Sequence, residues 1–171
     1  VSAKGGVVRA IRAPKVADRP RSFFDKLNDW ARGEGAVGLG YITVKDGAGQ
    51  GPIAKFVPAE AQAALNKAAG LEEGDAIFFV CDKEEKAAKF AGRARDKICD
   101  DMDIREKGVY KLFWLVDFPM YEFDERTQKI DFSHNPFSMP RGGMDALNGD
   151  PLAIIANQYD CVCNGYELCS G

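Results

Sequence analysis

The chain has 171 residues and a mass of 18.7 kDa, and 46% of its residues are hydrophobic and 29% are charged. This composition excludes a disordered tail and provides enough apolar residues for one or two folded domains. The longest strongly apolar runs, 76–81 and 112–116, fall far short of the ~20 residues that cross a bilayer, so we expect no membrane association. Because the chain begins with Val1 rather than methionine, we also expect it to be a piece of a longer polypeptide.

The net charge of −3 hides a gradient along the chain. Residues 1–57 carry ten Lys and Arg against five Asp and Glu, whereas residues 58–171 carry thirteen against twenty-one. The densest cationic stretch is a set of five side chains: Arg9, Arg12, Lys15, Arg19 and Arg21. Two interpretations stay open at this point, because such a stretch can attract a phosphate backbone or can simply be a solvated loop.

Five cysteines occur in the sequence, at positions 81, 99, 161, 163 and 169. An odd number without a secretory leader argues against a disulfide framework and favours reduced thiols in a cytoplasmic protein. The spacing of the last three is not a usual zinc spacing, and no histidine lies nearby to complete four ligands. We therefore predict no structural zinc.

The first half of the chain alternates strands and helices. The predicted elements are a strand at 5–11, a helix at 23–32 preceded by Ser22, paired strands at 39–44 and 53–56, a helix at 58–70, a strand at 76–81 and a helix at 84–101. Ser22 and Asp25 are spaced as a capping box for the first helix. This order predicts an α+β module of roughly 100 residues, with helices on one side of a mostly antiparallel sheet.

After Gly108 the pattern changes to longer strands. We predict strands at 110–118, 120–123 and 129–133, with a turn at 124–128 between the last two. Residues 135–150 are rich in proline and glycine and predict a mobile loop. The last segment, 152–168, is expected to start as a helix and end as a strand.

Three side chains of the second half are candidates for chemistry. His134, the only histidine, lies at the mouth of the loop, where an imidazole could meet a ligand or could equally have a structural role. Asp160 and Glu167 are two carboxylates that could share a divalent ion with a nucleotide. Seven residues would place them on opposite faces of an unbroken strand, so we predict a bulge or kink at Asn164-Gly165 that returns both to one side.

Several segments together resemble one known family. Residues 113–120 (FWLVDFPM), 134–137 (HNPF) and 159–168 (YDCVCNGYEL) resemble, in order, three blocks of the class II catalytic domain of bacterial-type aspartyl-tRNA synthetases. Residues 5–11 (GGVVRAI) and 35–40 (GAVGLG) resemble the GAD domain that is inserted in this family. The resemblance implies a GAD-like domain at 1–106, followed at 107–171 by part of the antiparallel catalytic sheet. Because it would be separated from the rest of that sheet, the second part is expected to present unpaired edges and exposed apolar side chains such as Phe113 and Trp114.

The resemblance also assigns roles to individual residues. His134 matches the histidine that contacts the aspartate substrate, although Asn135 replaces the second histidine of that block. Glu167 matches the glutamate that binds ATP and its Mg²⁺, and Asp160 matches the aspartate that supports the same metal. Asp117 is taken as structural, and no residue of the chain is assigned a catalytic role.

The function implied by the resemblance is that of an aspartate–tRNA ligase, in which ATP activates L-aspartate to an adenylate and the aspartyl group passes to tRNA(Asp). Such a parent is expected to be a cytoplasmic homodimer. The arginine-bearing motifs of the family fall outside residues 1–171, so we expect the isolated chain to make no adenylate. The alternative is a non-catalytic GAD module whose basic stretch contacts tRNA or a partner. A tRNA-dependent amidotransferase subunit, which also contains a GAD domain, is disfavoured because it would lack the three catalytic-domain blocks.

Overall fold

The structure, a computed structural model, describes residues 5–124 and 126–171, which form two compact units that divide between Arg105 and Glu106. The first four residues of the predicted GAD-like domain and Glu125 of the predicted turn lie outside the described residues. Each unit is described by itself below.

The first unit contains one antiparallel sheet of four strands and three helices. Its elements are β1 (Gly6–Ala13), α1 (Arg21–Gly33), β2 (Gly40–Lys45), β3 (Ala48–Gln50), a 3₁₀-helix (Ala54–Phe56), α2 (Ala59–Ala69), β4 (Ala76–Lys83) and α3 (Glu84–Met102). The strand order is β1-β4-β2-β3, and β1 pairs with β4 from Gly6 opposite Lys83 to Ala13 opposite Ala76.

One face of this sheet and two helices form the core. Phe78 of β4 is fully buried, and its ring stacks on that of Phe24 in α1 at 6.0 Å between centroids. Phe90 of α3 joins the same cluster. Leu27, three residues after Phe24, is also buried, as the helical period requires for a helix with one apolar face. Each such side chain contributes about 1.5–3 kcal/mol on burial.

The opposite face of the sheet is covered as well. Ile42 and Ile77 pair across β2 and β4 and are both fully buried. Ile53 lies so close to Gly40 that a Cβ added there would be 2.2 Å from its Cδ1 atom. Glycine at position 40 therefore lets Ile53 approach the backbone of β2.

Asp75 is a buried charge that organises the turn before β4. Only 1% of its surface is exposed. Its carboxylate accepts hydrogen bonds from the Arg12 Nε atom at 2.7 Å and from the backbone amides of Lys15 and Glu72 at 3.1 and 3.0 Å. Burial by itself raises the pKa of the Asp75 carboxyl, but these hydrogen bonds and the Arg12 charge outweigh it and hold the pKa below its usual value.

Two local predictions for this unit are wrong. The partner of β2 in the hairpin is β3 (Ala48–Gln50), whereas residues 54–56 form a 3₁₀-helix. The turn at Asp46-Gly47, with positive φ at both residues, reverses the chain at once, so the return strand comes earlier than the apolar pattern suggested. Helix α1 begins at Arg21 after Pro20, without a side-chain cap from Ser22.

The second unit contains two small antiparallel sheets. Its strands are β5 (Leu112–Leu115), β6 (Tyr121–Asp124), β7 (Lys129–Phe132), β8 (Asp160–Cys163) and β9 (Tyr166–Ser170), and short 3₁₀-helices span Gly143–Asn148 and Pro151–Ala153. One sheet has the order β5-β8-β9, and β6 pairs with β7 in the other. The predicted α+β fold class, with antiparallel sheets, is therefore confirmed.

The second unit buries little apolar surface. Met120, Ile154 and Ala156 form its small core, whereas 45% of Phe113 and 59% of Trp114 are exposed. The prediction of exposed apolar side chains on this sheet is thus confirmed. No described helix is long and apolar enough to cross a membrane.

The strand prediction at 110–118 needs correction. The strand predicted at 110–118 is limited to β5, because Asp117 adopts a positive φ of 63° and Pro119 cannot donate a ladder hydrogen bond. The segment 135–150 is tied to the chain that follows it. The Arg141 amide donates to the Ile155 carbonyl at 2.8 Å, and the Asn157 amide donates to the Met139 carbonyl at 2.7 Å.

Candidate functional site

The candidate site is built on the β8-β9 hairpin. Asn164 and Gly165 have φ values of 51° and 88°, the signature of a two-residue turn with positive φ at both positions. The sequence predicted a bulge or kink at these residues within one strand, and that prediction is wrong in form. The chain instead reverses its direction at this turn. A separate register shift in the β8-β9 pairing lies between the Cys161–Cys169 pair and the Val162–Glu167 pair.

Asn164 also ties the turn to the segment that precedes β5. Its Oδ1 atom accepts a hydrogen bond from the Lys111 amide at 2.9 Å, and its Nδ2 atom donates to the Val109 carbonyl at 2.7 Å. The Asn164 amide donates to the Lys111 carbonyl at 3.1 Å. One side chain therefore satisfies the turn geometry and holds the hairpin against the neighbouring strand.

The hairpin brings Asp160 and Glu167 to the same face. Glu167 is paired directly with Val162, and Asp160 lies two residues before Val162 on β8. Paired residues and residues two apart on a strand share a face. The reversal at Asn164 thus converts an odd sequence separation into a common face.

The environment of this carboxylate pair fits a magnesium ion held jointly with phosphates. Within residues 5–124 and 126–171, neither Asp160 nor Glu167 has a salt-bridge partner, and Glu167 is exposed. Among these residues no group of three or more His, Cys, Asp and Glu side chains is arranged to hold a metal. Mg²⁺ characteristically uses one or two carboxylates and completes its shell with phosphate oxygens and water, so two carboxylates on one face of a hairpin are an appropriate donor set.

His134 is exposed and is positioned by an aromatic contact. Its ring meets that of Phe118 edge to face at 5.1 Å between centroids. Phe118 follows β5 by three residues, and Leu115, at the end of β5, is paired with Asp160. The three residues after Leu115 span at most about 11 Å. A short stretch of chain therefore links β5, which pairs with Asp160, to Phe118, which contacts His134. No described contact joins His134 directly to Asp160 or Glu167.

Arg141 is a residue of this region that the sequence analysis missed. Its Nη2 atom donates to the Asp117 Oδ1 atom at 2.5 Å. The contact connects the Pro/Gly-rich segment to the end of β5, next to Phe118. The only sequence signal for this residue was an arginine between Pro140 and Gly142. Its partner, Asp117, lies 24 residues earlier, so the local sequence pattern does not predict the contact.

The basic stretch of the first unit is largely engaged by carboxylates. Arg9 pairs with Glu84, Arg12 with Asp75, and Arg21 with Asp25 at 3.6 Å. The guanidinium of Arg19 lies 5.8 Å from the centre of the Phe23 ring. These intramolecular partners compete with any phosphate for the same cations, which weakens the interpretation of this stretch as a phosphate-binding surface.

The first unit is a four-stranded antiparallel module with helices, and the second carries two carboxylates on a strand hairpin. The GAD domain family model matches residues 1–91, and the chain belongs to this family.

The whole chain is similar to aspartate–tRNA(Asp/Asn) ligases. It is 60% identical to the ligase of Beijerinckia indica over 98% of this chain and 29% of that protein. It is also 60% identical to the ligase of Paramagnetospirillum magneticum over 98% of this chain and 19% of that protein, and 54% identical to that of Gluconobacter oxydans over 100% and 29%. The family resemblance predicted from the sequence is confirmed, and the chain spans less than a third of the length of these relatives.

Proposed function

We propose that this chain is a segment of an aspartate–tRNA ligase that activates L-aspartate with ATP and transfers the aspartyl group to tRNA(Asp). The proposal assigns the activity given in the relatives' names to the longer parent protein of this chain. The chain itself matches less than a third of the length of those relatives. The domain division at 106/107, a cytoplasmic location and a homodimeric parent belong to the same proposal. The observation that carries it is the common face of Asp160 and Glu167, within a chain that is 60% identical to such ligases.

In this proposal Glu167 and Asp160 would hold a Mg²⁺ ion that accompanies the nucleotide, and such an ion would supply charge neutralisation to the phosphates. The two carboxylates orient the nucleotide at the face of the β8-β9 hairpin that they share, and Asn164 keeps that hairpin in register. His134 contacts the aspartate substrate from the neighbouring segment. Positioning and charge stabilisation of this kind are the main sources of catalysis in such reactions.

The test uses the full-length parent ligase and measures aspartate-dependent ATP–pyrophosphate exchange. Glu167→Ala is expected to reduce the exchange rate by at least about 100-fold, which is the scale for loss of a group that stabilises transition-state charge. Asp131→Ala is the matched control, because Asp131 is an exposed carboxylate on β7, outside the sheet of the candidate site, and the rate is expected to stay unchanged. Unchanged exchange in Glu167→Ala would contradict the proposed role.

The chain of 171 residues by itself is expected to show no exchange activity. Detectable aspartate-dependent exchange by this segment would contradict that expectation. For the alternative function, a tRNA- or partner-binding GAD module without a catalytic role, the decisive measurement is salt-dependent binding of tRNA by the chain. The ion pairs of Arg9, Arg12 and Arg21 argue for weak binding.

A further inference from the structure

The face of the β8-β9 hairpin opposite to Asp160 and Glu167 carries three cysteines. Cys161 and Cys163 are two residues apart on β8, and Cys169 is paired with Cys161. Side chains alternate between faces along β8 and paired residues share a face, so Cys161, Cys163 and the Cys169 paired with Cys161 lie on the face opposite Asp160. The register shift between the Cys161 and Val162 pairs lets Glu167 and Cys169, although two residues apart on β9, lie on different faces. The proposed function does not use this group of thiols.

Cys161 and Cys169 are close enough to be joined. Directly opposed residues of antiparallel strands have Cα atoms about 4.5–5.5 Å apart, and a disulfide spans Cα separations of about 4.4–6.8 Å. Cys163 is opposite Tyr166 instead, so it has no directly opposed cysteine.

The pair is also accessible to small reagents. Cys169 is exposed and Cys161 is partly exposed. The other two cysteines provide internal comparisons, because Cys81 on β4 is opposite Val8 and Cys99 lies in α3. Cys81 is exposed, so exposure alone does not distinguish it from Cys169. Cys169 differs from Cys81 because a second thiol, that of Cys161, lies directly opposite it.

We propose that Cys161 and Cys169 form a redox-active dithiol, a modification site that hydrogen peroxide closes to a disulfide and that a reducing dithiol reopens. The Cys169 sulfur attacks one peroxide oxygen, the O–O bond breaks, and Cys169 becomes a sulfenic acid as one water leaves. The Cys161 sulfur then attacks the Cys169 sulfur, the S–O bond breaks, and a second water leaves. Two thiols have lost two electrons, and one peroxide has been reduced to two waters.

The new bond would cross-link β8 and β9 beside the carboxylate pair. Asp160 is adjacent to Cys161, and Glu167 lies two residues before Cys169. The closed form fixes the register of the hairpin at the irregularity between Cys161 and Val162. Oxidation at this site therefore acts on the strands that hold the candidate nucleotide ligands without touching those ligands.

The experiment oxidises the 171-residue chain with stoichiometric hydrogen peroxide, blocks the remaining thiols and maps the products by mass spectrometry after chymotryptic cleavage. Cleavage after Tyr166 separates Cys161 and Cys163 from Cys169, so a disulfide across this point is recognised directly. We expect loss of two of the five thiols per chain, one intramolecular link to Cys169, and full recovery of thiols with dithiothreitol.

Single substitutions assign the partner of Cys169. Cys161→Ser and Cys169→Ser should each abolish the intramolecular link, whereas Cys163→Ser and Cys81→Ser should leave it intact. A link between Cys161 and Cys163, loss of the link in Cys163→Ser, or only intermolecular and over-oxidised products in the unsubstituted chain would overturn the proposal. Fragmentation of the linked peptide from the unsubstituted chain distinguishes Cys161 from Cys163 as the partner, so the outcome is decided even if a variant folds poorly.

Discussion

The two units of this chain use their apolar residues in opposite ways. In the first unit the sheet is covered on both faces, and Phe78, Ile77 and Ile42 are fully buried. In the second unit the described residues bury Met120, Ile154, Ala156 and Val162, whereas every residue of β5 is exposed. A comparable supply of apolar side chains thus gives a closed core in one unit and an open sheet in the other.

Strand β5 explains what this difference means. Leu112 and Trp114 project from one face and Phe113 from the other, and all are 45% or more exposed. A strand that is apolar on both faces is typical of a sheet covered on both sides. The first unit provides its own covering helices, whereas the described residues of the second unit leave both faces of β5 exposed.

The largest expected effect separates the two cores directly. Phe78→Ala should lower the unfolding free energy of the first unit by about 3–5 kcal/mol, because it leaves a cavity in a closed core. Phe113→Ala, which removes a side chain that is 45% exposed, should lower that of the second unit by less than about 1 kcal/mol. Native-state hydrogen exchange on the whole chain measures both. Equal losses in the two units would contradict the contrast.

A second prediction concerns the buried charge of the first unit. Asp75→Ala should cost about 2–4 kcal/mol, because three donors lose their acceptor. Asp18→Ala, which removes a 91% exposed partner of Lys45, is the control and should cost less than about 1 kcal/mol. Denaturant unfolding compares the two variants, and similar costs would refute the assigned role of Asp75.

The same carboxylate predicts how stability changes with pH. The pKa of Asp75 is lower in the folded chain than in the unfolded chain, so its contribution is complete above the unfolded value of about 3.9. That contribution is lost as the pH falls through the folded value. The difference in unfolding free energy between the unsubstituted chain and Asp75→Ala should therefore shrink as the pH falls into the acid range. A difference that grows on acidification would contradict this prediction.

The smallest expected effect tests the hairpin of the second unit. Asn164→Ala removes two side-chain hydrogen bonds and forces alanine into a positive φ of 51°, at a total cost of about 2 kcal/mol. Asn164→Gly loses the same hydrogen bonds but tolerates the backbone conformation, so it should cost less. Hydrogen exchange of the β8 and β9 amides measures the change. Equal protection of these amides in both variants and in the unsubstituted chain would show that Asn164 does not anchor the turn.

The elements of the first unit could be predicted from the sequence because their signals are local. The period of Phe24, Leu27 and Ala31 marks the buried face of α1, and Gly70 marks the end of α2. The return strand after β2 could not be predicted in the same way. Residues 53–56 look strand-like, but the turn at Asp46-Gly47 pairs Ala48–Gln50 with β2 first, and turn geometry takes priority over the apolar pattern.

By itself the sequence determined the α+β class, from composition and periodicity, and the family, from motifs that resemble those of known members. That resemblance also singled out His134, Asp160 and Glu167 as candidate residues, and all of these signals are properties of contiguous residues. Only the tertiary structure decided that Asn164 and Gly165 reverse the chain, which faces the carboxylates and thiols occupy, and that Arg141 reaches Asp117. Those facts depend on strand pairing and on side-chain contacts between residues distant in sequence, and the free energies of such contacts are set by the folded chain as a whole.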